Sequence, residues 1–462
     1  MTFSVDHLPA GLQLDPGTGQ IVGVVSKTGE YVVTFHASNS LGTAEHPFHI
    51  TVGERIGLTP AMGWNSWNCW AEGVNQARVL DAARAMVNSG LAQHGWICIN
   101  IDDAWQGARG GDLTAIQPNR HQFPDMEALV TEIHRLGLKA GIYSTPWVTS
   151  YAGRVGGSAE NPQGAWHPPA RKGPYRKKIL PYAIGQFSFA TQDAKQWASW
   201  GIDYLKYDWG PVEIPESREM ADALRASGRD VIFSISNNTS GNVFDEVAEL
   251  SKIANSWRTT TDISDNWKSV CANGCHGDKW APFAGPGHFN DPDMLVVGRV
   301  GWGKPHPSHL SPDEQYSHVS LWCLLSAPLL LGCDLDQLDP FTLGLLTNDE
   351  VLDVDQDSLG QQATMVAKDG DTQIYAKQLE DGSWAVGFFG HGQTPMKATL
   401  SWSAIGLSGP QTVRDLWREK ELGTFDGSFS ATPAVHGVVL IRLRPSLRVQ
   451  GIRVHGSGRE KE

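Results

Sequence analysis

The sequence predicts an α/β chain: a (β/α)8 TIM barrel of eight parallel strands, each followed by a helix, with a C-terminal antiparallel β-sandwich and a small N-terminal all-β module. Three observations carry that expectation. Strand-like and helix-like segments alternate from Leu58 to Leu346, a stretch long enough for about eight units. On either side the pattern changes to short alternating strands separated by turn residues. No glycine-rich phosphate fingerprint follows the first strand, which removes the best support for an open dinucleotide-binding sheet.

Residues 1–52 form the first β module. Asp15, Pro16, Gly17 and Gly19 mark one turn and Lys27 to Gly29 another, between strands such as "EYVVTFHASN". A spacer or packing role fits this module better than a catalytic one. The barrel is expected over 53–350. "WICINIDDAW" reads as a strand. "DMEALVTEIHRLG" reads as a helix with Asp125 as N-cap, Leu129, Ile133 and Leu136 on one face, and Gly137 ending it. "KAGIYSTPW", "IDYLKYDWG" and "DVIFSISNN" are further strands, with "SFATQDAKQWASWG" and "SREMADALRASG" as helices between and after them. A long insertion, Thr149 to Gln186, interrupts this rhythm and holds the basic run "RKGPYRKK". On the catalytic side of a barrel such a loop is a lid or specificity element, while the basic run itself reads as solvated surface. The sandwich is expected over 351–446 and a polar tail over 447–462.

Composition narrows the partners. The chain has 462 residues and a net charge of -13, which disfavours nucleic acid and anionic membranes. No apolar run is long enough to span a bilayer. Eighteen tryptophans exceed the needs of most cores, and indole faces suit sugar rings, although most of them are expected in the core. The six cysteines are too thinly spread for a disulfide scaffold. Cys271, Cys275 and His276 suggest a metal site, yet no fourth ligand is visible, and a local disulfide or two free thiols fits better. The opening "MTFSVDHLPAGLQLDP" reads as entry into the middle of a β domain. The expectation is an extracellular or periplasmic protein whose export signal was trimmed.

In a barrel of this kind the active site gathers at the C-terminal strand ends. Here those ends carry Trp67, Asp102, Asp103, Tyr143, Lys206, Asp208, Ser236, Asn237, Arg258, Asp262, Asp291 and Asp293. Several carboxylates among cations and aromatic walls, with few of the Ser, Cys and His groups of acyl transfer, suit glycoside hydrolysis. A divalent metal held by Asp102, Asp103, Asp291 and Asp293 is the rival chemistry. For a single aspartate, a helix cap or a loop ion pair is the ordinary alternative.

"TPAMGWNSWNCW", "INIDDAW", "LKYDWG", "WRTTTD" and "GPGHFNDPDML" occur in the order found in glycoside hydrolase family 27, the α-galactosidase and α-N-acetylgalactosaminidase family. The chain resembles that family through the barrel and, by "VDQDSLG", into the sandwich. The first module resembles the immunoglobulin-like domains appended to secreted bacterial enzymes. The family resemblance implies a retaining exo-glycosidase acting on a carbohydrate with a terminal α-galactosyl-type residue, with neither metal nor cofactor. It implies Asp208 as nucleophile and Asp262 as acid/base, their carboxyl groups about 5–5.5 Å apart. Lys206 would bind a hydroxyl and keep carboxylates ionised, and Asp102 and Asp103 would hold the 4- and 6-hydroxyls. Trp67 and Tyr143 would form the apolar wall, Arg258 would hold a ring hydroxyl, and Met294 would pack beneath the sugar.

Departures from the family pattern matter as well. Trp209 follows the nucleophile where many members have Cys, and the expected partner Cys is absent too. Ile235, Ser236 and Asn237 replace Cys-Glu-Trp, in which the Glu recognises the 2-hydroxyl. The shorter Ser leaves room beside C2, which keeps open an α-N-acetylgalactosaminidase or a β-L-arabinopyranosidase. His288 and Phe289 replace Gly-Trp at the pocket floor. Sequons at Asn237 and Asn238 fall where sugar is expected and read as accidental. A non-catalytic carbohydrate-binding barrel is the reading from another class.

Overall fold

A computed structural model describes residues 1–166, 175–179, 182–236, 243–275 and 277–446, with side chains described outside 175–179 and Tyr182. The barrel strands are β1 (Met62–Asn65), β2 (Cys98–Asn100), β3 (Lys139–Ser144), β4 (Tyr204–Asp208), β5 (Ile232–Ser236), β6 (Ser256–Arg258), β7 (Phe289–Asp291) and β8 (Leu329–Leu331). From β7 down to β1 they are parallel neighbours in sequence order, and β8 pairs with β1. A bridge from Leu295, just past β7, to Leu331 joins the two edges. The strands are almost wholly buried, as expected of a parallel sheet covered on both faces.

The helices follow from local sequence. They are α1 (Gln76–Asn88), α2 (Met126–Arg135), α3 (Ala190–Trp200), α4 (Ile214–Ala226), α5 (Val243–Leu250), α6 (Trp267–Gly274) and α7 (Pro312–Leu324). Asp125 caps α2 by accepting from the Ala128 amide, and Leu129 and Ile133 are buried on its inner face. Gly137 follows with φ at 81°, a left-handed turn that glycine adopts without strain. Ser311 and Glu314 form a capping box on α7. α4 begins three residues before the Ser217 that opens its sequence signal, because Pro215 fits a first helical turn. Two short helices, Pro340–Leu346 and Asp349–Asp355, close the layer. Among the described residues, no helix is long and apolar enough to cross a membrane.

Six antiparallel strands from Thr364 to Pro445 form one sheet of the sandwich, and Ala398–Ser401 with Ser428–Ala431 supply the second. Phe388, Leu400, Trp402, Val413 and Ile441 fill the space between them. At the N-terminus, Thr2–Asp6, Gly29–Asn39 and Gly42–Val52 make a three-stranded antiparallel sheet beside a small hairpin. Nine of the tryptophans are under 2% exposed, so at least half of them serve packing.

The insertion after β3 is tied to the barrel wall. Arg109 makes a bidentate pair with Asp193 of α3 at 2.7 and 2.8 Å, and the same guanidinium donates to the Gly156 carbonyl of the insertion. Both side chains are essentially unexposed. Removing one partner strands the other charge in the interior. Arg109→Ala is therefore expected to lower the unfolding free energy by about 3–5 kcal/mol in urea titration, whereas a loss under about 1 kcal/mol would show the pair to be dispensable.

Candidate active site

Strand register brings the site together. Asn65 lies level with Asn100, Tyr143 with Lys206, Asp208 with Ser236, and Arg258 with Asp291. The polar residues that end neighbouring strands thus rise to one height and face a common mouth.

On one side of this mouth, Asp102 Oδ2 accepts from Lys206 Nζ and from Asn65 Nδ2, each at 2.8 Å. Its Oδ1 accepts from the Asp103 amide. Asp103 accepts from the Ala104 amide at 2.7 Å and from the Ala152 amide of the insertion at 2.8 Å. Burial pushes the Asp103 carboxyl up, and the Ala152 amide, the Ser150 hydroxyl and the Ala104 amide pull it back. Ala104, with φ at 83°, sits in left-handed backbone and turns the chain so that both aspartates meet the mouth.

Across the mouth, Arg258 pairs with Asp293 at 3.0 Å and with Asp262 at 3.2 Å. Asp262 is 57% exposed at the rim, whereas Asp293 is buried. The Asp293 carboxyl accepts from the Ile263 amide, and its carbonyl accepts from the Trp322 indole of α7. The loop that carries Asp262 is therefore anchored one residue further on. Burial raises Asp293 to about 6 against the pull of Arg258. Asp291 is buried nearby and raised for the same reason.

Between these sides stands Asp208, 8% exposed at the end of β4. Tyr143 donates its hydroxyl to Asp208 Oδ2 at 3.2 Å. Burial raises the Asp208 carboxyl to about 7; Lys206 and Arg258 oppose the rise, while Asp102 and Asp262 add to it. Tyr143 is fully buried, so what it offers the mouth is its hydroxyl. Ser236 is buried beside Asp208, and Trp67 is half-buried against the apolar cluster of Met294, Tyr204 and Leu330. Asn237, both sequons, His276 and the side chains of the basic run lie outside what is described.

Of the four aspartates considered for a metal, Asp102 bonds Lys206 and Asp293 bonds Arg258, while Asp103 and Asp291 accept from backbone amides. Asn65, Ser150 and Ala152 are participants that sequence reasoning missed. Asn65 had a signal, because it ends β1 inside "GWNSW". Ala152 contributes only its backbone amide, so no side-chain pattern marks it. A separate cavity of about 320 Å³ opens at the opposite end of the barrel, beside Cys98, Lys139 and Asp203. There Asp203 is engaged by His134, Arg229 and the Ala140 amide, a structural arrangement.

Comparison with known proteins fits this geometry. The model of alpha galactosidase A matches residues 59–161 and 177–357, and that of the alpha galactosidase C-terminal beta sandwich domain matches 369–443. The chain belongs to the α-galactosidase family, glycoside hydrolase family 27. An Ig-domain model matches residues 1–53. Alpha-galactosidase 2 of Arabidopsis thaliana is 37% identical over 395 residues, covering 84% of this chain and 90% of the relative. α-Galactosidase I of Mortierella vinacea superposes with a TM-score of 0.72 at 29% identity, covering 85% of this chain and 98% of its own. The family 27 β-L-arabinopyranosidase of Geobacillus stearothermophilus, in complex with arabinose, superposes at 0.73 with 25% identity, covering 84% and 98%. This family member is thus an α-galactosidase-like glycoside hydrolase.

The raised Asp208 carboxyl has a stability consequence. Below the ordinary carboxyl value of 3.8 it is protonated in both folded and unfolded chains. As pH rises toward about 7, the unfolded chain ionises it first, so the fold loses stability across that window. Asp208→Asn is expected to raise Tm by a few degrees at pH 7–8, with the gain shrinking toward pH 4. Melting curves showing a neutral-pH loss, or a gain independent of pH, would contradict this assignment.

Proposed function

We propose that this enzyme releases terminal α-linked galactose from oligosaccharides, polysaccharides or glycoconjugates by retaining double displacement. The observation that carries the reading is the pairing of a buried carboxylate, Asp208, with a rim carboxylate, Asp262, around Arg258. Asp208 attacks the anomeric carbon in its ionised form and becomes the glycosyl ester. Asp262 protonates the departing oxygen, then takes a proton from the water that opens the ester. Its exposure at the rim suits both duties, since leaving group and water arrive from solvent.

Lys206 and Arg258 hold Asp208 toward the ionised form, and the Tyr143 hydroxyl does so by donation. Asp102 and Asp103 are fixed by amide, amide-nitrogen and ammonium donors, which leaves carboxylate lone pairs free to accept from the 4- and 6-hydroxyls. Trp67 provides an apolar surface, with Met294 buried under it. The buried Ser236 gives the 2-position a short neighbour, the feature that favours the acetamido sugar or arabinopyranose as the second reading. Asn237, the other residue proposed for that side, lies outside the described residues.

Initial rates on p-nitrophenyl α-galactoside, α-N-acetylgalactosaminide and β-L-arabinopyranoside test the sugar. The galactoside is expected to turn over fastest, and a clear preference for either other substrate would replace it. Asp208→Ala is expected to lower kcat at least about a thousandfold. Asp262→Ala should cost far more on poor leaving groups than on activated aryl ones; equal losses would remove its acid role. Proton NMR should detect α-galactose as the first-formed anomer, and β-galactose would show inversion.

The pH profile tests Tyr143. Because Asp208 must be ionised, kcat/KM should fall on the acid side through a value near 7, the level to which burial raises that carboxyl. Tyr143→Phe removes a donor to the ionised form, so the acid limb is expected to move to higher pH. An unmoved limb would show that the hydroxyl does not tune Asp208.

A further inference from the structure

Helix α6 runs behind the rim loop that carries Asp262 and faces the C-terminal sandwich. Its Asn273 amide donates to the Thr261 carbonyl at 2.9 Å and to the Pro292 carbonyl at 3.1 Å, holding the residues that precede Asp262 and Asp293. One turn apart at its C-terminal end stand Cys271, half-buried, and Cys275, buried; both are free thiols. His391, which follows the sandwich strand Trp384–Gly390, approaches them from the other domain, with its Nδ1 at 3.8 Å from Cys271 Sγ. The two sulfurs and one imidazole nitrogen all lie within 4.8 Å of one another.

We propose that Cys271, Cys275 and His391 form a zinc site that clamps the barrel to the sandwich. Zinc bonds of about 2.3 Å to sulfur and 2.0–2.1 Å to nitrogen give a tetrahedral sulfur-to-nitrogen edge of about 3.6 Å, close to the separation present. The donors are also the right kind, since two thiolates and an imidazole select zinc over magnesium or calcium. The sequence pairs the cysteines but hides the histidine, which lies 116 residues beyond Cys275 and reaches them only through domain packing. Water takes the fourth position.

The surroundings hold the donors in place. Tyr375 of the sandwich donates its hydroxyl to the Cys275 carbonyl at 2.8 Å. The His391 amide donates to the Asp371 carbonyl, and the Trp267 ring packs against the His391 imidazole at 5.6 Å. On binding, each thiol gives its proton to water and each sulfur donates a lone pair to the ion, so no oxidant or reductant is involved and affinity rises with pH. Through Asn273 the clamp also braces the Asp262 loop, although the site lies outside the proposed catalytic groups.

The full chain, purified from zinc-supplemented culture and desalted, is expected to carry about one zinc per chain by elemental mass spectrometry. The double variant Cys271→Ser, Cys275→Ser should carry less than about a tenth of that. Equal zinc in the two proteins, or a Cys271–Cys275 disulfide in the isolated wild type, would overturn the site. Cobalt titration of chelator-treated wild type keeps the proposal testable if the serine variant fails to fold. A thiolate-to-cobalt charge-transfer band should saturate near one equivalent, and its absence would also overturn the assignment. His391→Ala is expected to weaken cobalt binding by more than about tenfold, whereas unchanged affinity would remove the imidazole from the site.

Discussion

The constraint on which the rest of this molecule depends is the burial of five carboxyl groups in one barrel mouth. Asp102, Asp103, Asp208, Asp291 and Asp293 are each under 9% exposed, and Lys206 and Arg258 are the cations that bond into the group. Two positive charges cannot neutralise five negative ones in a medium that solvates ions poorly. The excess is relieved in two ways. Backbone amides from Ala104, Ala152 and Ile263 supply partial positive charge, and protons remain on some carboxyls at pH values where free aspartate would be ionised. The parallel strands, their common height and the left-handed residues Ala104 and Asp293 place donors and acids where these compensations work.

This arrangement separates the carboxyls by environment as well as by position. Asp208, Asp291 and Asp293 are enclosed, and the proton affinity of each is set by burial against a nearby cation, chiefly Lys206 for Asp208 and Arg258 for the other two. Asp262 shares that guanidinium yet stands largely in solvent. One arginine thus links an enclosed acid and an open one, which keeps the rim loop in register with the strand ends beneath it. Such divergence between neighbouring carboxyls is the physical basis for giving them different chemical duties.

The barrel was legible because each helix and strand carries its own period, and because strand after strand ends in a charge or an aromatic ring. Asp208 after "YLKY" and Arg258 after "ANSW" announce themselves that way. The polar groups of the mouth were legible as a set, but their partners were not. Which cation bonds which acid depends on register between strands distant in sequence, as with Lys206 and Asp102. The Ala152 amide and the Asn273 side chain escaped notice for a related reason: one has no side-chain chemistry, and the other acts on carbonyls through a helix packed behind the loop. The tryptophan surplus was ambiguous from composition alone. Half of it proves to be packing, with indoles such as Trp64, Trp105 and Trp257 hydrogen-bonded inside the barrel.

The insertion after β3 touches Asp103 through the Ala152 N–H, which every residue except proline possesses, and through the Ser150 hydroxyl. The first contact demands a path of the chain, and the second a hydroxyl at one position. Substitution can alter the exposed positions around Ser150 while the carboxylate beneath still receives both donors. The outer wall of the mouth thereby leans on the floor at few positions, whereas the residues of the floor answer to one another's charge.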